Sequence, residues 1–356
     1  MAETKILKQE EKERYSRQIR LTEIGEAGQK KLKSSSVLVI GAGALGCSVL
    51  QYLTAAGTGT LGIVDNDWVE TSNLQRQVLY GTDDISKPKP LAAKEKLKLL
   101  NPNVIFRTHF VRLNRDTALK ILNGYEIVVD CTDNFATRYL INDACVILNK
   151  PLVYGAILKF SGQVMVLNYM NGPTLRCIFP DPPHPLEVPS CAESGVIGSI
   201  AGIIGSIQAT EVIKMITGSG KLLSGKMLIL DSLDFSAELI SIHRDPEKSV
   251  VHDLAEYEDV CLSDYENGIE ITREDLMQMR SLNNDIKVID LRDEADTEPL
   301  GFECIRIPYY EISRKTDLLI GSGPIVFYCR YGIKSRQVIN YLQRYHERNN
   351  LYILVI

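Results

Sequence analysis

The feature that most constrains this chain is a glycine loop. An apolar run from Ser36 to Ile40 leads straight into Gly41-Ala-Gly43-Ala-Leu-Gly46; residues 49–56 then read as a helix and 61–64 as a second strand ending at Asp65. A strand that turns through glycines into a helix gathers backbone amides at the positive helix end, and the missing side chains let a phosphate reach them. Asp65 lies 19 residues past Gly46, where a carboxylate accepts hydrogen bonds from ribose hydroxyls. So far a nicotinamide oxidoreductase, a mononucleotide enzyme and an idle nucleotide-bound scaffold all fit.

Further apolar runs at 127–130, 152–156 and 164–168, with helical segments at 89–100 and 138–148 between some of them, predict a large α/β domain whose sheet is parallel in its first half. The chain has 356 residues, which at about 100–200 residues per domain leaves room for a second unit. Seven acidic residues and no Lys or Arg fall between Ser249 and Thr272, the composition of a solvated linker, so the expected division is 1–248, a linker at 249–270, and 271–356. After it, Thr272 followed by Asp275 marks a capping box on a helix over 272–279. Strands at 287–291, 325–328 and 352–356 and a helix at 337–345 complete a smaller α/β unit.

The stretch after Asp65 narrows the chemistry. Asp67, Asn73 and Arg76 crowd the segment just beyond a strand's carboxyl end, where ligands bind in such sheets. Lys89 opens the following helix, and Asp133 with Asn134 follows the 127–130 strand. Asn73, Arg76 and Lys89 supply donors for phosphate oxygens, and a carboxylate at Asp133 is suited to Mg²⁺. A hydride-transfer enzyme usually needs an acid/base pair, and the five histidines do not cluster around the loop. Forty basic against 45 acidic residues, with no basic block, argue against nucleic acid or an anionic membrane as the main partner.

These residues resemble the adenylyltransferases that activate ubiquitin-like sulfur carriers: molybdopterin-synthase adenylyltransferase, its thiamine-pathway relative and the ubiquitin-activating enzymes. The resemblance covers about the first 245 residues and is carried by Arg14-Tyr-Ser-Arg17-Gln18, the glycine loop, Asp65-Asn-Asp67, Ser72-Asn73-Leu-Gln-Arg76-Gln77, Lys87-Pro-Lys89 and Cys131-Thr-Asp133-Asn134-Phe-Ala-Thr-Arg138. It implies a Rossmann-like adenylation domain with a mixed sheet. Gly41, Gly43, Gly46, Asp65, Asp67 and Asn134 would line the ATP site, with Asp65 on the ribose. Asn73, Arg76 and Lys89 would bind phosphates, Asp133 would hold magnesium, and Arg17 would reach a neighbouring subunit's ATP, which implies a homodimer. The substrate would be a ubiquitin-like sulfur carrier ending in Gly-Gly, of the molybdopterin, thiamine or tRNA-thiolation pathway. The chemistry suits these residue types, because an ionised carboxylate attacks the α-phosphorus of ATP without a general base and needs only alignment and phosphate neutralisation.

Two cysteine segments follow. A loop with five prolines between Pro180 and Pro189 delivers Cys191 to the start of a glycine-rich helix, a position that lowers a thiol's pKa; in the family a cysteine here can take the activated carboxyl. Many relatives hold structural zinc through two C-x-x-C pairs. Here Thr174-Leu-Arg-Cys177 keeps one cysteine and the segment from Asp245 to His252 has none, so no zinc is expected. In the second domain, Cys329 stands directly after a buried strand in a loop with Arg330, Gly332, Lys334 and Arg336, where amides and cations favour a thiolate. This loop, with Asp290-Leu-Arg292, resembles a rhodanese active site, which implies Cys329 as the persulfide-bearing nucleophile and a cysteine desulfurase as sulfur donor. The chain ends at Ile356 without the final helix usual in rhodaneses.

The first 20 residues are charged and show no apolar h-region, and the eight cysteines lack a repeating spacing, so free thiols in the cytoplasm are expected. The longest apolar stretch, 196–209, is punctuated by glycines and falls short of a membrane span; it reads as a buried helix.

Overall fold

The computed structural model describes residues 6–182, 195–255, 269–283, 285–293, 296, 298–320, 323–330, 332–346 and 348–356. The chain forms two compact units, the smaller within Val260–Ile356 and the larger before it. In the larger unit the elements run α1 (Gln9–Arg14), α2 (Ser16–Ile19), α3 (Gly25–Ser34), β1 (Ser36–Ile40), α4 (Ala44–Ala56), β2 (Thr60–Asp65), α5 (Lys89–Leu100), β3 (Ile105–Phe110), α6 (Arg115–Asn123) and β4 (Ile127–Asp130). Then come α7 (Phe135–Ile147), β5 (Leu152–Leu158), β6 (Ser161–Leu167), α8 (Gly198–Thr217), β7 (Lys226–Asp231) and β8 (Ala237–Ser241).

The eight strands form one sheet in the order β3-β2-β1-β4-β5-β6-β7-β8. The first five in that order are parallel and β6 to β8 run antiparallel, a mixed sheet of the Rossmann type. Its central strand shows why helices cover both faces. Side chains alternate along a strand: Val37 and Val39 enter a core with Leu45, Leu50, Ile200 and Ile204, while Leu38 and Ile40 enter the opposite core with Leu122, Tyr139 and Ile141. Each such fully buried side chain stabilises the fold by about 1.5–3 kcal/mol relative to exposure. Because β2 lies on one side of β1 and β4 on the other, with crossovers running in opposite directions, a crevice opens at their carboxyl ends.

Helix α8 holds the apolar stretch noted above and is apolar and long enough to cross a membrane by composition. It instead packs on α4 and the sheet, burying Ile200, Ala201, Ile204, Ala209 and Val212. Its glycines allow this closeness: a Cβ on Gly205 would sit 2.6 Å from the Leu45 carbonyl oxygen. The start of the acidic segment also differs from a solvated linker. Ser249 and Leu254 are buried in the larger unit, Ser249 through its hydroxyl on the Asp245 carbonyl and Leu254 in the core with Tyr139 and Ile141.

The smaller unit contains β9 (Ile269–Ile271), α9 (Arg273–Leu282), β10 (Lys287–Asp290), β11 (Ile305–Arg306), β12 (Ile325–Tyr328), α10 (Ile333–His346) and β13 (Leu351–Leu354). Its sheet, ordered β11-β10-β12-β13-β9, is wholly parallel. The capping box forms as read from the sequence: the Thr272 hydroxyl accepts from the Asp275 amide at 3.2 Å, and the Asp275 carboxylate accepts from the Thr272 amide at 2.8 Å. Phe327 and Ile353 are fully buried in its core.

Candidate functional site

The glycine loop leaves β1 at Gly41, whose φ of +95° suits a residue without a side chain. Each of the three glycines answers a different demand. A Cβ on Gly41 would lie 2.5 Å from the Cys131 carbonyl oxygen, and one on Gly46 would lie 2.0 Å from the Gly41 carbonyl oxygen, so both are fixed by backbone packing. Gly43 is different: a Cβ there would meet only the Gln77 side chain, at 3.8 Å. The loop is pinned from behind by the Tyr80 hydroxyl, which donates to the Ala42 carbonyl at 2.8 Å.

Asp65, at the end of β2, takes up the loop directly. Its Oδ2 accepts from the Ala42 amide at 2.7 Å and its Oδ1 from the Asp67 amide at 2.8 Å. Burial nonetheless raises its carboxyl above the ordinary value, against the opposing pull of Lys89. Lys89, almost fully buried at the first turn of α5, places its ammonium 2.9 Å from Asp67 Oδ2. The segment between them is held in register by Lys89 N on Asp67 O and Val69 N on Lys87 O, both at 2.9 Å. Below it, buried Asp84 is paired with Lys87 at 3.1 Å and Lys96 at 3.0 Å. Asn73 and Arg76 sit on the short turn that follows. Asn73 Oδ1 accepts from the Glu70 amide at 3.2 Å, and Arg76 Nη1 donates to the Ser72 carbonyl at 3.0 Å. The start of α8 abuts this turn, where a Cβ on Gly198 would lie 2.6 Å from the Gln75 carbonyl oxygen.

The loop after β4 closes the other side. Asp130 is fully buried; its Oδ1 takes the Thr132 amide at 2.9 Å and hydroxyl at 2.6 Å, and burial raises its carboxyl above the ordinary value against the Arg138 charge. Arg138, also buried, donates to the Tyr154 hydroxyl at 2.6 Å and the Thr132 carbonyl at 2.7 Å. Asp133 is exposed at the tip and makes no hydrogen bond or ion pair among the described residues. Asn134 caps α7, its Oδ1 accepting from the Thr137 amide at 2.8 Å, so one end of this side chain is committed to the helix.

Together these elements enclose a cleft of about 470 Å³ lined by Gly41, Gly43, Asp65, Asp67, Asn73, Arg76, Lys89, Asp133 and Asn134. Gly46 sits behind the loop. Arg17 is exposed on α2 and is not part of the cleft wall of its own chain. Cys191 lies outside the described residues. The wall formed by Val111 and Leu113 has no counterpart in the sequence pattern, because β3, interrupted by Arg107 and His109, gives no strand signal; Gln77, to which the sequence assigns no role, also lines the cleft.

Around Cys177 the donor set does not fit a zinc site. Its sulfur is 3.2 Å from the Ser249 hydroxyl and 3.4 Å from the Thr174 hydroxyl, and it accepts from the amides of Thr174 at 3.3 Å and Asp245 at 3.4 Å. Burial pushes this thiol up, but the hydroxyl and amide bonds outweigh it and hold the pKa below the ordinary value. Among the described residues no group of three His, Cys, Asp or Glu is placed to hold a metal ion. All six described cysteines are unpaired.

In the smaller unit, Cys329 follows β12 and is buried. Ser335 serves its sulfur, through the amide at 3.4 Å and the hydroxyl at 3.3 Å. The cations expected to favour a thiolate turn elsewhere: Arg330 pairs with Asp296 at 2.7 Å, Lys334 with Asp293 at 3.6 Å, and Arg336 with Glu270. Asp290 and Arg292 form a buried pair at 2.9 Å, joined by Arg306 at 2.9 Å. Burial raises the Asp290 carboxyl, but the two guanidinium groups outweigh it and leave the pKa below the ordinary value.

The chain is 49% identical over 263 residues to the sulfur carrier protein adenylyltransferase of Thermus thermophilus, covering 71% of this chain and 97% of that one. It is 38% identical over 352 residues to the probable adenylyltransferase/sulfurtransferase MoeZ of Mycobacterium tuberculosis, covering 94% and 88%. It is 39% identical over 354 residues to the adenylyltransferase and sulfurtransferase MOCS3 of Drosophila sechellia, covering 93% and 78%. The crystal structure of PaaA superposes with a TM-score of 0.58 at 28% identity, over 68% of this chain and 77% of that one. MccB of E. coli, solved with ATP, shares the fold at a TM-score of 0.58 and 23% identity, over 65% and 72%. Residues 15–250 also match the ThiF family profile, and the chain belongs to the ThiF family.

Proposed function

We propose that this chain uses ATP to adenylate the C-terminal glycine of a ubiquitin-like sulfur carrier, of the molybdopterin-synthase small-subunit type, releasing pyrophosphate. The observation that carries this is the convergence of Asp65, Arg76, Lys89 and Asp133 on one cleft at the switch point, with no histidine among the described residues of its wall. Such a site has the means to orient a nucleotide and neutralise its phosphates, and the attacking carboxylate needs nothing more. The carboxylate oxygen bonds to the α-phosphorus as the bond to the β-phosphate oxygen breaks. Asp65 meets the ribose, while Arg76, Asn73 and Lys89 face the phosphates. Lys89 is now paired with Asp67, so its charge is held at the cleft and oriented before ATP arrives.

Asp133, exposed and unengaged, fits Mg²⁺, which typically takes one or two carboxylates plus phosphate oxygens and waters. Bound there, magnesium would neutralise the triphosphate. Arg17, outside its own cleft, is the residue we assign to a partner subunit's ATP in a homodimer. In the second stage, sulfur delivered to Cys329 by a cysteine desulfurase is passed on: the terminal sulfur of the persulfide displaces AMP from the acyl carbon, and a thiol then cleaves the sulfur–sulfur bond to release the thiocarboxylate. The relatives named for both activities match along nearly the whole chain, which supports assigning both stages to it. The unpaired cysteines suit a cytoplasmic setting.

The direct test is ATP–pyrophosphate exchange in the presence of carriers ending in Gly-Gly. Exchange should depend on the carrier and disappear in Asp133→Ala. No exchange with any candidate carrier would overturn the proposal.

A further inference from the structure

Gln77 ends the turn that carries Asn73 and Arg76 and lines the nucleotide cleft, yet it is only 4% exposed. Its carboxamide can donate two hydrogen bonds and accept two. Among the described residues it makes none, and Oε1 is shielded from solvent without a partner. Buried carboxamides are as a rule satisfied, because leaving one unpaired costs folding free energy. Nothing among the described residues compensates for burying this one.

The glycine loop indicates what does. Gly41 and Gly46 are glycines because backbone carbonyls press on them, whereas the space beside Gly43 is open and its far wall is Gln77 Nε2, at 3.8 Å from where a Cβ would stand. The three loop glycines thus include one whose missing side chain leaves room rather than relieving a clash. That room lies next to the amide-rich start of α4, where phosphate is favoured. We infer that Gln77 is a phosphate-positioning residue: its Nε2 donates to an oxygen of the ATP triphosphate lodged beside Gly43. The inference rests on ATP occupying this cleft. An uncharged donor complements Arg76 and Lys89, since it fixes the direction of an oxygen without adding charge that would hold the departing pyrophosphate.

The test uses the full-length protein and a non-hydrolysable ATP analogue with Mg²⁺. Gln77→Met keeps the length and volume of the side chain and removes its polar atoms. The melting temperature of the nucleotide-free protein should hold or rise, because an unsatisfied group has gone. Affinity for the analogue should fall about tenfold, as for one lost hydrogen bond to a charged group. In pyrophosphate exchange the KM for ATP should rise by the same factor while the KM for the carrier stays unchanged. Gln77→Glu, which sets a negative charge against the phosphates, should bind more weakly than Gln77→Met. Analogue affinity within twofold of wild type in Gln77→Met, or a melting temperature that falls while affinity is kept, would overturn the inference. Wild-type protein that fails to bind the analogue would instead overturn the nucleotide cleft itself.

Discussion

Gly41-Ala42-Gly43 follows β1, and Cys329 follows β12; in each case a buried parallel strand hands the chain to a helix through a short loop rich in polar neighbours. The polar groups are deployed differently. Around the glycine loop Asp133 has no ionic partner among the described residues, Arg76 makes one backbone bond and Lys89 makes one ion pair across an open cleft. Around Cys329 the cations Arg330, Lys334 and Arg336 are each paired with a carboxylate, and among the described residues the sulfur is met by the amide and hydroxyl of one serine. The first loop keeps its charge available for a highly charged ligand. Around the second the charges are met locally, which leaves hydrogen bonds at the sulfur and offers little attraction to a free anion. The same strand-loop-helix plan therefore carries two electrostatic arrangements, and what separates them is where the counter-charges lie.

Removing charge from the first loop should produce the largest effect. Lys89→Met should lower pyrophosphate exchange by about 10²–10³-fold, the range for losing one preorganised donor to developing charge. The fold should tolerate it, since the deserted Asp67 side chain is mostly exposed to water. A loss below tenfold would mean that the ion pair with Asp67, not a phosphate, is the purpose of Lys89.

Asp290 lies in the second region and tests the counter-charges beneath it. Its pKa is held below the ordinary 3.8 by Arg292 and Arg306 in spite of burial. The stabilisation is therefore complete above pH 3.8 and is lost as pH falls through the lowered native value. Asp290→Asn strands two guanidinium groups and should destabilise the smaller unit by about 3–5 kcal/mol at pH 7, with the difference from wild type narrowing in acid. Denaturant melts at pH 7 and at pH 3, followed by hydrogen exchange in β10 and β12, measure both. Equal stability at pH 7 would show that the buried pair is dispensable.

How much of this was legible in the sequence depends on which forces shape each element. The helix at 89–100 and the strands at 127–130 and 325–328 were read with their boundaries, because unbroken apolar runs and a Pro-flanked helix start are local signals. The short strands β9 and β11 and the half-exposed β3 were missed. Their membership comes from pairing with neighbours such as Val64↔His109 and Ile289↔Ile305, and a local pattern does not record a partner. The cleft was legible as a set of residue types after strand ends. The pairing of Arg330, Lys334 and Arg336 was not, since Asp296, Asp293 and Glu270 reach them only through the folded sheet. Nor does composition reveal that Gly43 differs from Gly41 and Gly46, which takes the position of every atom around them.

Smaller effects are expected where the second loop itself is altered. With the hydroxyl of Ser335 at 3.3 Å from the sulfur, Ser335→Ala should slow persulfide formation on Cys329 by about tenfold, read by mass spectrometry, and Ser335→Thr should restore most of the rate. A rate unchanged in Ser335→Ala would return the role to the cations. Arg330→Ala should matter least. Its charge is already met by Asp296 at 2.7 Å on the protein surface, and exposed ion pairs are worth about 0–1 kcal/mol, so the rate should change by less than about fivefold. The sharper experiment leaves the arginine and removes its partner: Asp296→Asn frees the guanidinium, and persulfide formation from a small anionic donor such as thiosulfate should then rise about two- to fivefold. If Arg330→Ala instead stops the reaction while Asp296→Asn leaves it unaltered, the cation acts on the sulfur in spite of its partner, and the contrast between the two loops fails.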